Sequence, residues 1–235
     1  NYGILTITGC TITHNTADYY GGGIYSDSGS TLTITEESTI SHNSADSYGG
    51  GIYNKGTLTI TASTISSNST KYGGGIFNYE DGTLDITAST ISHNSADCSD
   101  GGIYNSGTLT ITTSTISHNS ATSDGGIYNI GTLNITGSTI SYNSADWYVG
   151  GIDNRETLTI TGSTISYNSA AYYGGGIYLD LGPEIPIPTI GGSGEEKNII
   201  CGNYKTGEPP SLDQQIQDDS GSLYNTYKNT NIISA

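Results

Sequence analysis

Residues 49–69 read GGGIYNKGTLTITASTISSNS, and three short phrases inside this stretch decide the fold. In Thr57-Leu58-Thr59-Ile60-Thr61 apolar and hydroxyl residues alternate, so Leu58 and Ile60 face one way and the three threonines the other. Thr64-Ile65-Ser66 repeats that alternation and is followed by Asn68, while Gly49-Gly50-Gly51 leads into Ile52-Tyr53-Asn54. All three phrases recur along the chain. The leucine of the first stands at Leu5, Leu32, Leu58, Leu84, Leu109, Leu133 and Leu158, in steps of 24 to 27 residues. The isoleucine of the second stands at Ile12, Ile40, Ile65, Ile91, Ile116, Ile140 and Ile165, always with an asparagine three residues later. The third phrase gives a column from Ile24 through Ile52, Ile76, Ile103, Ile127 and Ile152 to Ile177.

Three strands in about 25 residues, joined by Gly, Asn and Ser turns, leave no room for crossover helices. The backbone is satisfied if the chain closes on itself, each strand lying beside its equivalent in the next coil about 4.8 Å away. The pattern therefore predicts an all-β, right-handed, single-stranded parallel β-helix (β-solenoid) with three short strands per coil and seven regular coils. Leu58, Ile60, Ile65 and Ile76 are expected inside, and Thr57, Thr59, Thr61, Thr64 and Tyr53 outside. The repeats occupy 1–182. Pro183, Pro186 and Pro188 open a departure, and 183–235 is expected to form an irregular C-terminal coil, a cap and an extended tail. The asparagine column after each Thr-Ile-Ser strand is expected to hydrogen-bond up and down the stack.

Composition narrows the function. Only 12% of the 235 residues are charged, with 34 Gly, no Met and one Phe, the signature of repetition. Six Lys and Arg against 22 Asp and Glu give a net charge of −16, which repels phosphate backbones and anionic lipid. Nucleic-acid partners are not expected, and no apolar run is long enough for membrane insertion. The chain opens in mid-repeat without a Met, as a piece of a longer or processed precursor would. A first coil without a cap exposes its strand edge, so copies are expected to stack head to tail.

Few residues break the repeat. Trp147, Val149, Asp153, Arg155 and Glu156 cluster on neighbouring coils, and a partner or glycan contact is expected at Trp147, Asp153, Arg155 and Glu156 together with the adjoining Tyr148. Two aromatic ladders run along the rod, Tyr25, Tyr53, Phe77, Tyr104 and Tyr128 on one strand and Tyr20, Tyr48, Tyr72, Tyr148 and Tyr173 before the glycine runs. The four histidines, His14, His42, His93 and His118, share one turn column with Ser67, Tyr142 and Tyr167, which reads as stacking in a turn and not as a metal site. No metal or other cofactor is expected. The adjacent acidic pairs Glu36-Glu37, Glu80-Asp81, Glu195-Glu196 and Asp218-Asp219 fall in turns or the tail, so no catalytic residue is assigned and the chain is not expected to be an enzyme. Three cysteines cannot all pair; Cys10 and Cys201, in the first and last coils, are candidates for a disulfide between subunits. Asn68 and Asn134 begin glycosylation sequons. Outward columns of threonine, broken by Asp85 and Asn134, keep ice binding open as an alternative.

Gly49-Gly50-Gly51-Ile52 followed by Ile65-Ser66-Ser67-Asn68 resembles the short repeats of polymorphic outer-membrane adhesins. The fuller phrase also resembles the β-helix repeats of bacterial and methanogen-archaeal surface proteins, including layer, sheath and fibre components. The resemblance covers about residues 2–180 and implies an extracellular structural or adhesive protein; the partners expected from the residues above are copies of itself and cell-surface glycans. Polysaccharide lyases and hydrolases share the β-helix, which makes that activity a second alternative.

Overall fold

The computed structural model describes residues 1–180, 188–191, 198–201, 203–206, 216–218 and 232–234. The chain is a parallel β-solenoid, and every strand pairs in parallel with its equivalents in neighbouring coils. One coil shows the pattern: strands Thr57–Thr61, Thr64–Ser66, Ser69–Tyr72 and Ile76–Asn78, each belonging to a different sheet. Four faces thus replace the three that alternation in the sequence implies. The additional strand is the Ser-Ala step, such as Ser44–Ala45, which follows the asparagine corner and is too short to show a period of two.

Identical residues stack in register. Leu58 lies between Leu32 and Leu84, Ile65 between Ile40 and Ile91, and Ile76 between Ile52 and Ile103. Leu58, Ile60, Ile65 and Ile76 are fully buried inside, and the threonines of Thr57–Thr61 alternate outward. Thr189–Ile190, Ile199–Cys201, Tyr204–Lys205 and Ile216–Asp218 add an eighth strand to each sheet, and Ile232–Ser234 pairs beyond Ile199–Cys201. The boundary expected after 182, with Pro183 and Pro186, lies outside the described residues, as does most of the expected cap and tail.

Corners, where the backbone cannot pair within a sheet, are held by side chains that repeat in every coil. Asn68 is fully buried. Its Nδ2 donates to Ile40 O in the preceding coil and to Asn94 Oδ1 in the following one, both at 3.0 Å. Asn94 Oδ1 also accepts from the Asn68 backbone N–H, at 3.0 Å. Both donors and both acceptor positions of each amide in mid-ladder are therefore used, the most an asparagine can achieve. This ladder runs from Asn15 through Asn43, Asn68, Asn94, Asn119, Asn143 and Asn168 to Asn203. The residue before each of its first seven members, His118 for example at φ 56°, takes the left-handed conformation that turns the chain. A second ladder, Asn54, Asn78, Asn105, Asn129 and Asn154, bonds side chain to side chain at 2.7–2.8 Å. At a third corner the Ser63 N–H donates to Ser89 Oγ, and the column continues through Ser114, Ser138 and Ser163. At the glycine corner coils approach so closely that a Cβ on Gly74 would run into the carbonyls of Gly101 and Ser95.

Three substitutions separate the forces at work. Ile91→Ala removes a fully buried side chain between Ile65 and Ile116 and is expected to cost about 2–5 kcal/mol in chemical denaturation. Thr90→Ala, outward on the same strand, is expected to cost less than about 0.5 kcal/mol. Asn94→Ala leaves the Asn68 N–H, the Asn68 amide and Ile65 O without their partners, at about 1–3 kcal/mol each. Its loss in the same assay should therefore match or exceed that of Ile91→Ala.

Candidate functional site

Between the inward Ile52 and Asn54, Tyr53 points out of the sheet, and its equivalents Tyr25, Phe77, Tyr104 and Tyr128 stand in register with it. Ring centroids are 5.5 Å apart for Tyr25 and Tyr53, 5.2 Å for Tyr53 and Phe77, and 4.1 Å for Phe77 and Tyr104. A second column, Tyr20, Tyr48 and Tyr72, lies alongside at spacings of 5.7 and 5.3 Å. Its rings lean across the first, with Tyr20 at 4.9 Å from Tyr53 and Tyr48 edge-on to Phe77 at 5.0 Å. Tyr53, expected outside, is on the outer face yet only 4% exposed, because the second column covers it. A groove of about 350 Å³ runs among Tyr20, Tyr48, Tyr53, Phe77 and Tyr104, with Lys55 Nζ 5.1 Å from the Tyr79 ring centre at its rim.

The aromatic face changes character in the coils that follow. Where Tyr72-Gly73 stood, the next coils carry Ser99-Asp100 and Ser123-Asp124, and where Tyr128 stood the next strand carries Asp153. Asp100, at φ 68°, keeps the left-handed backbone of Gly73. All three carboxyls are buried, at 1%, 3% and 1% exposure for Asp100, Asp124 and Asp153. Ser99 Oγ lies 2.8 Å from Asp100 Oδ1 and 3.1 Å from Asp124 Oδ2, so one hydroxyl proton serves two carboxyls. Arg155 reaches back to Asp153, with Nε at 3.3 Å from Oδ1 and Nη2 at 3.0 Å from Oδ2, and its guanidinium lies 5.2 Å from the centre of the Tyr128 ring. Asp100 Oδ2 and Asp124 Oδ1 have no hydrogen-bond partner. Burial, followed by the charge of Asp124, pushes the Asp100 carboxyl well above the usual range. Burial and the charge of Asp153 raise Asp124 to about 8. Asp153 is also raised by burial, against the opposing pull of Arg155. Among the described residues no group of three His, Cys, Asp or Glu is arranged to hold a metal ion.

Of the residues that the sequence singles out, the structure brings together two sets. Trp147 and Tyr148 meet Tyr172 and Tyr173 of the next coil, at 5.1 and 5.6 Å between ring centres, and line a cleft of about 330 Å³. All four rings are exposed, Trp147 at 49%. Asp153 and Arg155 form the ion pair just described, but Asp153 is beneath the surface and not available as a contact residue. Glu156 is exposed in the turn that follows. Asp100 and Asp124 fall in glycine runs that by themselves imply only a turn; the loss of Tyr-Gly at two successive coils is the signal that marks them.

The remaining candidates are dispersed. Asn134 stands half-exposed in the outward threonine column, whereas the Asn68 amide is buried in its ladder and closed to a glycan in the folded rod. Cys10 and Cys201 carry free thiols in the first and eighth coils, at opposite ends of the rod. His14 stacks on His42 at 5.1 Å and His93 on His118 at 4.9 Å, a column that continues through Tyr142 and Tyr167. The outward threonines of Thr57–Thr61 align with those of Thr31–Thr35, and Asp85 and Asn134 interrupt the middle column.

These features define a β-helical rod with a buried core, laddered corners and one aromatic outer face. Residues 1–154 match the family model of the right-handed β-helix region, and the chain belongs to that family. Residues 162–180 match the repeat of the Chlamydia polymorphic membrane proteins, which points to a surface, adhesin-like role. Comparison with curated proteins and with solved structures gives no significant match.

The covered rings make a testable demand on pH. Burial, followed by a hydrogen bond to Asp27, pushes the Tyr25 hydroxyl up to about 12, and burial also raises Tyr53, Tyr104 and Tyr128. A raised folded value means that the folded rod holds protons which the unfolded chain has lost, so this contribution is complete below pH 10 and falls as pH rises through 12. Absorbance titration should show fewer tyrosinates at pH 11 in the folded protein than in the same protein in denaturant.

Proposed function

We propose that this chain is an extracellular, rod-like structural or adhesive module of a cell surface that binds glycans through the cleft of Trp147, Tyr148, Tyr172 and Tyr173. The observation that carries the reading is the cleft itself: four exposed rings from two coils, gathered where the repeat lapses. Exposed apolar rings keep a cost in water that a partner's apolar surface relieves, and the C–H faces of a sugar suit such rings. The repeat shared with polymorphic membrane proteins supports the surface setting. The high threonine and serine content of the outer strands supports a rod that stays hydrated while it spaces the cleft from its anchor.

The proposed role is non-catalytic. The carboxyls that a glycosidase reading would recruit on this face, Asp100, Asp124 and Asp153, are buried and do not line the cleft. Breaks at Asp85 and Asn134 in the threonine array favour contact by the aromatic face over ice binding. Head-to-tail stacking is part of the proposal, since in-register pairing of like coils is the interaction that builds the rod itself. In such a stack Cys10 and Cys201 of adjoining copies are the candidates for a cross-link.

A glycan array followed by calorimetry tests the reading. The double variant Trp147→Ala, Tyr172→Ala is expected to lose at least about tenfold in affinity for whichever glycan binds, with unchanged circular dichroism, since stacked rings contribute on the order of 0.5–1.5 kcal/mol each beyond the area that they bury. Binding that survives both substitutions refutes the cleft as the site.

A further inference from the structure

We propose that Asp100, Asp124 and Asp153 form a proton-locked joint in the middle of the rod, which holds the aromatic face closed while the carboxyls carry protons and loosens it when they ionise. The inference is independent of the glycan reading and begins from a charge count. Three ionised carboxylates against the one guanidinium of Arg155 leave a net charge of −2 where almost no water reaches. An uncompensated charge in such a place neutralises more readily than it persists. Two protons suffice, leaving Asp153 and Arg155 as the single ion pair.

The geometry says where these protons go. Asp124 Oδ1 is buried without a hydrogen-bond partner, and after burial the charge of Asp153 does most to raise its carboxyl. One proton belongs to Asp124, while the Arg155 fork holds Asp153 as a carboxylate. The second proton belongs to Asp100, whose Oδ2 has no partner and whose nearest charge is Asp124. Ser99 supplies a hydrogen bond to either carboxyl but carries one proton only. Other groups facing the joint do not replace the missing protons. Tyr104 and Tyr128 are neutral below pH 10, Tyr72 is engaged with Cys98, and Asp180 adds negative charge toward Asp153.

Burial places the folded-state values above those of the unfolded chain. The joint is therefore fully favourable below the ordinary carboxyl value of 3.8, and its contribution is lost as pH rises toward 8, the value for Asp124. Backbone bonds that pass through the joint will report the loss: Gly74 N–H donates to Asp100 O at 2.8 Å, and Gly101 N–H to Asp124 O at 3.0 Å.

Amide hydrogen exchange on the full chain at pH 6 and pH 9, corrected for intrinsic rates, tests the joint. Protection at Gly74 and Gly101 is expected to fall by about a hundredfold from pH 6, two units below the Asp124 value, to pH 9, while Asn94 and Asn119 keep theirs. Asp124→Asn should abolish that step, and Asp85→Asn, in the outward threonine column, should leave it intact. A uniform change along the rod, or a step that persists in Asp124→Asn, overturns the proposal. A carbon-13 titration of the aspartate carboxyls needs no variant: at least one should titrate above pH 7, and none doing so also overturns it. If calcium restores protection at pH 9 in the native sequence and not in Asp124→Asn, the joint is a metal site and the proton assignment fails.

Discussion

Everything in this molecule depends on identical coils lying in register at strand spacing, and that condition is hardest to meet at the corners. Along the sheets, backbone groups find partners automatically in a parallel stack. At a corner the chain turns, and although Ser67 N–H still donates to Ser92 O and Ser95 N–H to Asn68 O, the buried Asn68 N–H is met by a side chain. The Asn68–Asn94 geometry answers this with one side chain that supplies two donors and two acceptor positions, all used. Four aliphatics per coil, each contributing about 1.5–3 kcal/mol, drive collapse. That term is indifferent to register, since a leucine can pack on an isoleucine. An amide ladder is not indifferent, because a slip of one residue leaves several buried groups unpaired at about 1–3 kcal/mol each. Burial thus makes the rod compact, and the ladders make it a single structure.

Outside the core the same stacking operates under looser terms. Any residue that tolerates strand backbone can stand on an outer face, and whatever stands there meets its own copy one coil away. Tyrosine placed at two neighbouring outer columns therefore builds a second, smaller apolar layer, closed enough to bury Phe77 to 5% exposure outside the sheet. This layer explains why an acidic cluster exists at all. Ser99, Ser123 and Asp153 remove rings from the layer, and the carboxyls that take up the space inherit its dryness.

The coil, its four inward columns, the asparagine ladder and the strand directions were legible because each is written seven times over. What the repetition hid was of two kinds. The Ser-Ala strand is two residues long, below the length at which alternation carries information. The burial of Tyr53 depends on rings 33 residues before it and 24 after, an arrangement that periodicity within one strand cannot express. The site was half legible. Trp147 and Asp153 announced themselves as residues out of place, whereas Asp100 and Asp124 replaced glycines at a corner where composition varies anyway. Asn68 carries a sequon only because Thr70 stands where the other regular coils have Ala, and the ladder overrides it.

A repeat architecture tolerates a poorly satisfied coil in a way that a globular core does not. Each coil touches only its neighbours, so the cost of burying Asp100 and Asp124 is confined to the coils that contain them, and those on either side remain laddered and fully packed. Stability alone does not call for these carboxyls, because the same corner accepts Tyr-Gly at Tyr20-Gly21, Tyr48-Gly49 and Tyr72-Gly73. The departure continues into the next two coils, where Trp147 and Tyr148 restore rings to the face but leave them exposed against Tyr172 and Tyr173. A weakened joint and an exposed cleft on consecutive coils of one face form a single local specialisation. The nearest-neighbour character of the rod is what allows it to be built without disturbing the scaffold that presents it.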